Sequence, residues 1–324
     1  MEKLLVPLGI LVIGLLFGKM LRRLWENKVI FGSAPLDLFL KKTIQWVLLI
    51  VSPFIITGAF WTVKLDSLKL IELPVLGVLT LVIGGLLAVG VSKFQKLDRA
   101  KTGSMFVSGS FTNMGNFGTF FCFVFIGENS LPYIALFRLL EEFLYYSVGF
   151  PIAKSFGDKE RIEGDKSPLR YLTSNPFILI SSLAIVWGCL LNMSGMERPA
   201  IYGTMISYMV PLSTFLIVIP IGFNINFTAL RSYIKECYSI SLVKFVAVPL
   251  IITALGYVLG IGQIHDNMVL KVMLILSAMP PAFTSLVPPQ LYKLDTDLAN
   301  SSWLFNSGML ILVAPILYLV LQSI

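Results

Sequence analysis

Apolar residues come in ten runs separated by short polar stretches. An α-helix rises about 1.5 Å per residue, so about 20 apolar residues cross the hydrocarbon core of a bilayer. On that rule the spans fall at roughly 4–21, 43–63, 71–92, 103–126, 131–153, 175–194, 202–225, 238–260, 269–291 and 300–322. The pattern predicts an all-α membrane protein of ten transmembrane helices. Asn175-Pro176 reads as an N-cap followed by proline at the first helical position, and Asp297 as a cap near the start of the tenth span. The clearly hydrophilic stretch, Lys154 to Arg170, divides the spans into two groups of five. The expected organisation is a first five-helix repeat over 1–153, a cytoplasmic linker over 154–171 and a second repeat over 172–324. The halves echo each other. The second and seventh spans carry interior prolines (Pro53; Pro211 and Pro220), and the fourth and ninth are interrupted. Five is odd, so the second repeat enters from the opposite side and the repeats are inverted.

The interruptions are the most informative feature. The fourth span carries Ser-Gly-Ser-Phe-Thr-Asn-Met-Gly-Asn-Phe-Gly from Ser108 to Gly118. The ninth carries Ser277, Pro280, Pro281, Thr284 and Ser285. Backbone that leaves the helix at membrane depth is tolerated where it is buried in protein or lines a cavity. Two such breaks in corresponding helices of two repeats point to a solute site. Candidate substrate contacts are therefore Asn113, Met114, Gly115, Asn116, Ser277, Pro280, Pro281, Thr284 and, in the tenth span, Asn306. The Asn carboxamides donate and accept hydrogen bonds. Freed N–H groups and a half-helix N-terminus attract an anion through their dipoles. Pro280 and Pro281 remove backbone donors and free the carbonyls near Leu276, Ser277 and Ala278 for a substrate, a water or a cation. The competing reading is close helix contact through small residues, with the polar groups satisfied internally. Pro288-Pro289 is expected simply to end its helix.

Charge sharpens the picture. Of the 25 Lys and Arg residues, 18 lie in the loops after odd-numbered spans or at the edge of those loops, which places the loops in the cytoplasm and both termini outside. Arg138 and Lys244 lie within spans, as do Glu141 and Glu142. Ionisable groups at membrane depth are costly and are functional candidates by default. Arg138 is spaced to pair with Glu141 or Glu142 on a helix face, leaving one carboxylate for a proton, a cation or Lys244. The four residues are candidates for H⁺ or Na⁺ coupling. The alternatives are a structural ion-pair cluster and, for Lys244, snorkelling to the interface.

Composition agrees with a membrane protein: 56% hydrophobic, 13% charged, mean hydropathy +0.84. The net charge of +7 sits in short loops, which argues against nucleic-acid binding. Three cysteines and one histidine give no metal-ligand spacing, and no metal or cofactor is expected. The run Leu4 to Phe17 has its basic residues behind it and is read as a retained helix, not a signal peptide. No phosphate-binding, dinucleotide or HExxH motif is present, so neither an enzyme nor an ATP-driven pump is expected.

The run Ser110 to Gly118 with Phe125-Ile-Gly127-Glu128 resembles the fourth helix of the auxin efflux carrier family. Leu276-Ser-Ala-Met-Pro280-Pro281-Ala with Tyr292-Lys-Leu-Asp295 is similar to its ninth. Asn175-Pro176, Pro211 and Ile221-Gly222 also resemble that family, and the likeness covers nearly the whole chain. Thr119, Phe120 and Phe121 stand where the family usually has a proline. The resemblance implies a fold shared with the bile acid, arsenite and riboflavin type transporters. It has inverted five-helix repeats, crossing fourth and ninth helices, and one bundle moving against a scaffold in an elevator-like way. It further implies a permease for a small organic anion of carboxylate type, working as a secondary transporter or uniporter, with Asn113, Asn116 and the Pro280-Pro281 region at the crossover. The short linker favours a bacterial-type permease. Alternatives are an Na⁺-coupled organic anion symporter and a receptor or sensor on a transporter scaffold. The expected partners are the substrate anion and the lipid bilayer, with a homodimer left open.

Overall fold

The computed structural model describes residues 2–27, 36–63, 68–157, 176–223 and 227–324. The hydrophilic stretch beyond Gly157 and the Asn175 cap lie outside them. The described residues are helical, apart from turns, short linking stretches and one isolated β-bridge. Four helical stretches among them are long and apolar enough to cross a membrane: Leu68–Phe94, Ala200–Pro220, Ile234–Val258 and Thr296–Ser323. Shorter apolar helices, Leu49–Trp61, Met114–Phe125, Leu179–Met193 and Met268–Ser277, fall on the second, fourth, sixth and ninth predicted spans. These helices are apolar on both sides. Leu86, Leu250, Leu312 and Leu319 are exposed while Leu81, Ile252, Leu310 and Leu317 are buried. A helix hydrophobic all round belongs inside protein or lipid, not against water.

The chain divides into two compact units, each drawing helices from both halves of the sequence. One comprises Met1–Lys64, Thr119–Pro132 and Pro176–Ile225. In it, the Glu2–Glu26 helix runs along Ala200–Phe223, with Phe17 near Phe215 and Trp25 near Phe223. The Ser52–Trp61 helix lies on Pro176–Met193. Its end is tied by Asn192 Nδ2 donating to the Trp61 carbonyl (2.7 Å) and by Trp61 Nε1 donating to the Met196 carbonyl (2.8 Å).

The other unit comprises Leu65–Gly118, Tyr133–Asn175 and Asn226–Ile324. The Glu72–Phe94 helix turns back through Gln95–Asp98 into the Arg99–Ser110 helix. Asp98 Oδ1 caps the second helix by accepting from Lys101 N at 2.8 Å. Gly84 and Gly109 meet where the two helices touch. A Cβ on either would collide with the other's carbonyl, so only glycine permits this separation. Thr296–Ser323 lies against Arg99–Ser110 and Ile234–Leu242, around Ala88, Met105, Ile240 and Leu298.

Three local expectations change. The tenth-span cap is Asp295, whose Oδ1 accepts from Leu298 N at 2.8 Å; Asp297 sits inside the first turn. Pro288-Pro289 opens the short helix Val287–Leu291 instead of ending one, as fits residues with no N–H to donate. The fifth span is not one helix. Leu131–Phe137 ends in a turn at Arg138–Leu140, and the chain resumes as Glu141–Leu144, a π-helical turn Tyr145–Gly149, and Phe150–Phe156.

Candidate functional site

Both breaks fall in the second unit, and they meet. The Arg99–Ser110 helix ends as Phe111 turns extended, and the Met268–Ser277 helix ends at Ala278. Thr112 and Pro281 then form an antiparallel bridge. Asn113 N donates to the Pro280 carbonyl at 2.8 Å, and Ala282 N donates to the Phe111 carbonyl at 2.9 Å. The missing N–H of Pro281 costs nothing here, because the bridge uses only the groups flanking the Thr112–Pro281 pair. After the bridge, one chain enters a π-helical turn, Met114–Gly118, leading into Thr119–Phe125. The other enters a 3₁₀ turn, Phe283–Leu286. Two half-helix ends and two half-helix starts are thereby brought to one place.

In such a bridge the N–H and C=O of Thr112 face away from Pro281, where a third strand would lie. A single phenol takes that place. The Tyr145 hydroxyl oxygen is 2.9 Å from Thr112 N, which donates to it, and 2.9 Å from the Thr112 carbonyl. It is also 2.9 Å from Glu141 Oε1. The buried ring stacks on Phe111 at 4.2 Å between centroids. A phenol has one hydrogen, so it donates either to Thr112 or to Glu141, not to both. Met114 N also donates to the Thr112 carbonyl at 2.8 Å, so that oxygen stays satisfied either way.

Glu141 is buried, and its Oε2 accepts from Arg138 Nε at 2.7 Å. The turn at Arg138–Leu140 makes this pairing, since Glu141 N donates to the Arg138 carbonyl at 2.9 Å. Arg138's terminal nitrogens lie on Gly115. A Cβ there would stand 2.6 Å from both Nη1 and Nη2, so glycine at this position admits the guanidinium. Nη1 and Nη2 have no acceptor among the described residues, and the side chain is a quarter exposed. The Glu142 side chain makes no ion pair or hydrogen bond among the described residues, and the residue is partly exposed.

Lys244 sits in a further π-helical turn, Val243–Ala247, within the eighth span. It does not reach toward an interface: the residue is 1% exposed. Its Nζ donates to Thr112 Oγ1 at 2.6 Å and to the Phe111 carbonyl at 3.3 Å. Thr112 Oγ1 in turn donates to the Ser110 carbonyl at 3.2 Å. No carboxylate lies within ion-pair distance of Lys244 among the described residues.

The two Asn side chains differ. Asn113 is buried, and its Oδ1 accepts from Asn116 N (3.3 Å) and Phe117 N (3.5 Å), capping the half-helix that follows. Asn116 is partly exposed, and its carboxamide makes no hydrogen bond among the described residues. Met114 is buried. Ser277 and Asn306 stand in other company. Ser277 Oγ donates back to its own helix, at Met273 (2.7 Å) and Leu274 (3.2 Å). Asn306 is fully buried and satisfied. Its Nδ2 donates to the Ser302 carbonyl at 2.8 Å, and its Oδ1 accepts from Ser241 Oγ at 2.8 Å. Thr284 is partly exposed on the 3₁₀ turn. The structure thus gathers Asn113, Gly115, Pro280, Pro281, Arg138, Glu141 and Lys244 around one bridge. It adds Thr112 and Tyr145, which the sequence reading did not single out. The i,i+4 spacing of Glu141 and Tyr145 was the available signal for the latter.

A family described as membrane transport protein matches residues 41–318. An uncharacterised transporter of Methanothermobacter thermautotrophicus is 24% identical over 269 residues, covering 83% of this chain and 84% of the relative. An uncharacterised transporter of Methanocaldococcus jannaschii is 26% identical over 250 residues, covering 76% and 77%.

Proposed function

The chain belongs to the membrane transport protein family of auxin efflux carriers, and from that premise we propose that it carries a small organic anion of carboxylate type across the membrane. One observation carries the anionic preference. The free edge of the Arg138 guanidinium lies on Gly115, at the start of the half-helix that follows the bridge. A guanidinium offers two parallel N–H donors to a carboxylate, and a half-helix N-terminus adds a positive partial charge. The Asn116 carboxamide, one residue on, has donors and an acceptor to spare.

The reading includes ten spans in two inverted repeats, both termini outside, and an elevator-like movement. Support for the repeats is the matched pair of breaks. Support for the orientation is the loop bias in Lys and Arg. Support for the movement is that every hydrogen bond described at the bridge is internal to one compact unit, so that unit can travel without remaking them.

Purified protein would be screened by thermal melting against mono- and dicarboxylates, amino acids and organic cations, and the hits followed by counterflow in proteoliposomes. A carboxylate should raise the melting temperature with the logarithmic concentration dependence of mass action, and should exchange across the vesicle membrane. Stabilisation and counterflow by cations or neutral solutes, with none by carboxylates, would overturn the assignment.

A further inference from the structure

Lys244 has a position that neither substrate capture nor ion pairing explains. Its terminal nitrogen is buried, has no carboxylate within ion-pair distance among the described residues, and donates only to neutral oxygens. Those oxygens are the carbonyl and hydroxyl of the residues where the Arg99–Ser110 helix unwinds. The C-terminal end of that half-helix carries a negative partial charge. Unwound carbonyls and half-helix C-termini are where transporters with broken helices seat Na⁺ or other coupling cations. The charged groups nearest Lys244 stand behind Thr112: Glu141 by way of Tyr145, and Arg138 paired to Glu141.

We propose that the crossover is a monovalent-cation seat filled by the chain's own cation, the Lys244 ammonium. The Phe111 carbonyl, the Thr112 hydroxyl and the helix end take Nζ in place of a free alkali ion. The π-helical turn Val243–Ala247 widens the helix at the point where the side chain leaves it, a place where such turns often mark function. Two consequences follow. The wild-type protein needs no Na⁺, because its cation cannot dissociate. Shortening the side chain empties the seat and makes the bridge depend on a free monovalent cation.

The test needs no knowledge of the substrate, so its outcome is separate from that of the carboxylate screen. Thermal melting is measured in choline, Na⁺, K⁺, Li⁺ and ammonium chlorides at matched ionic strength. Wild type should melt at one temperature in all five. Lys244→Ala should melt lower in choline and regain most of the loss in ammonium or an alkali salt, with a shift that grows as the logarithm of cation concentration. Lys244→Ala combined with Thr112→Val, which removes the shortest contact, should melt low in every salt. Na⁺-dependent stability of the wild type would overturn the proposal. So would a Lys244→Ala protein equally unstable in all five salts, or one that no salt allows to be purified, because an opened seat must be fillable.

Discussion

Replacing Tyr145 by phenylalanine isolates the phenol from the ring. Stacking on Phe111 at 4.2 Å survives, and no cavity larger than one oxygen forms. Thr112 N loses its acceptor, and Glu141 Oε1 loses its contact while Oε2 keeps Arg138. The Thr112 carbonyl retains Met114 N. A buried donor left without a partner costs about 1–3 kcal/mol, and a hydrogen bond to a charged group is worth about 1.5–3 kcal/mol. Polar contacts inside membrane proteins are worth less, about 0.6 kcal/mol on average, because the unfolded chain in the membrane also finds partners. Together these bracket a loss of about 1–4 kcal/mol. At about 2–4 °C per kcal/mol for a cooperative unit of this size, melting should fall by roughly 2–16 °C. The control is Tyr257→Phe, whose ring is exposed and makes no hydrogen bond among the described residues; it should melt with the parent. If Tyr145→Phe also melts with the parent, the phenol is not holding the bridge and the role given to it fails.

Three further outcomes follow from the same geometry. Asn113→Ala should lose about 1 kcal/mol of stability along with transport, because its Oδ1 caps the half-helix, whereas Asn116→Ala should lose transport at unchanged melting temperature; equal melting of the two variants would contradict the cap. Gly115→Val should push the guanidinium off the break and abolish the carboxylate-dependent thermal shift, at a cost of about 1–3 kcal/mol in overpacking; normal counterflow in this variant would show that Arg138 does not need its seat. A cysteine introduced at the exposed position Ser155 should react with a membrane-impermeant thiol reagent from the cytoplasmic side alone, and labelling from outside intact cells would reverse the assigned orientation.

The breaks were legible in the sequence because they are written in residue type. Glycine, asparagine and paired proline interrupt an apolar run whatever surrounds them. Helicity was legible for the same reason, since hydropathy is read residue by residue. Lys244 was visible as an ionisable group at membrane depth, but its destination was not, because the sequence fixes where a side chain starts and only tertiary contact decides where its end lies. The turn at Arg138–Leu140 was hidden behind Leu139 and Leu140, both good helix formers. Its cause is the Arg138–Glu141 pair and the seat on Gly115, a residue more than twenty positions away. The π-helical turns Tyr145–Gly149 and Val243–Ala247 did leave a signal: each ends two residues before a proline, Pro151 or Pro249, whose missing N–H cannot continue the ordinary helical ladder, and Gly149 is itself a weak helix former.

The double proline also has a bearing on register. A one-residue slip of the ninth span that brings Pro281 to the place of Ala282 would ask it for the amide hydrogen that Ala282 now supplies, and a slip of two the same way would ask Pro280. Neither has one to offer. In that direction the alignment is secured by what the neighbouring registers lack as well as by the bonds the native one makes. Because those bonds belong to the main chain, side chains that do not hold the bridge, as Tyr145 and Lys244 do, can change without breaking it. Descendants of such a scaffold can acquire new solute preferences by changing what surrounds the bridge while leaving the bridge itself in place.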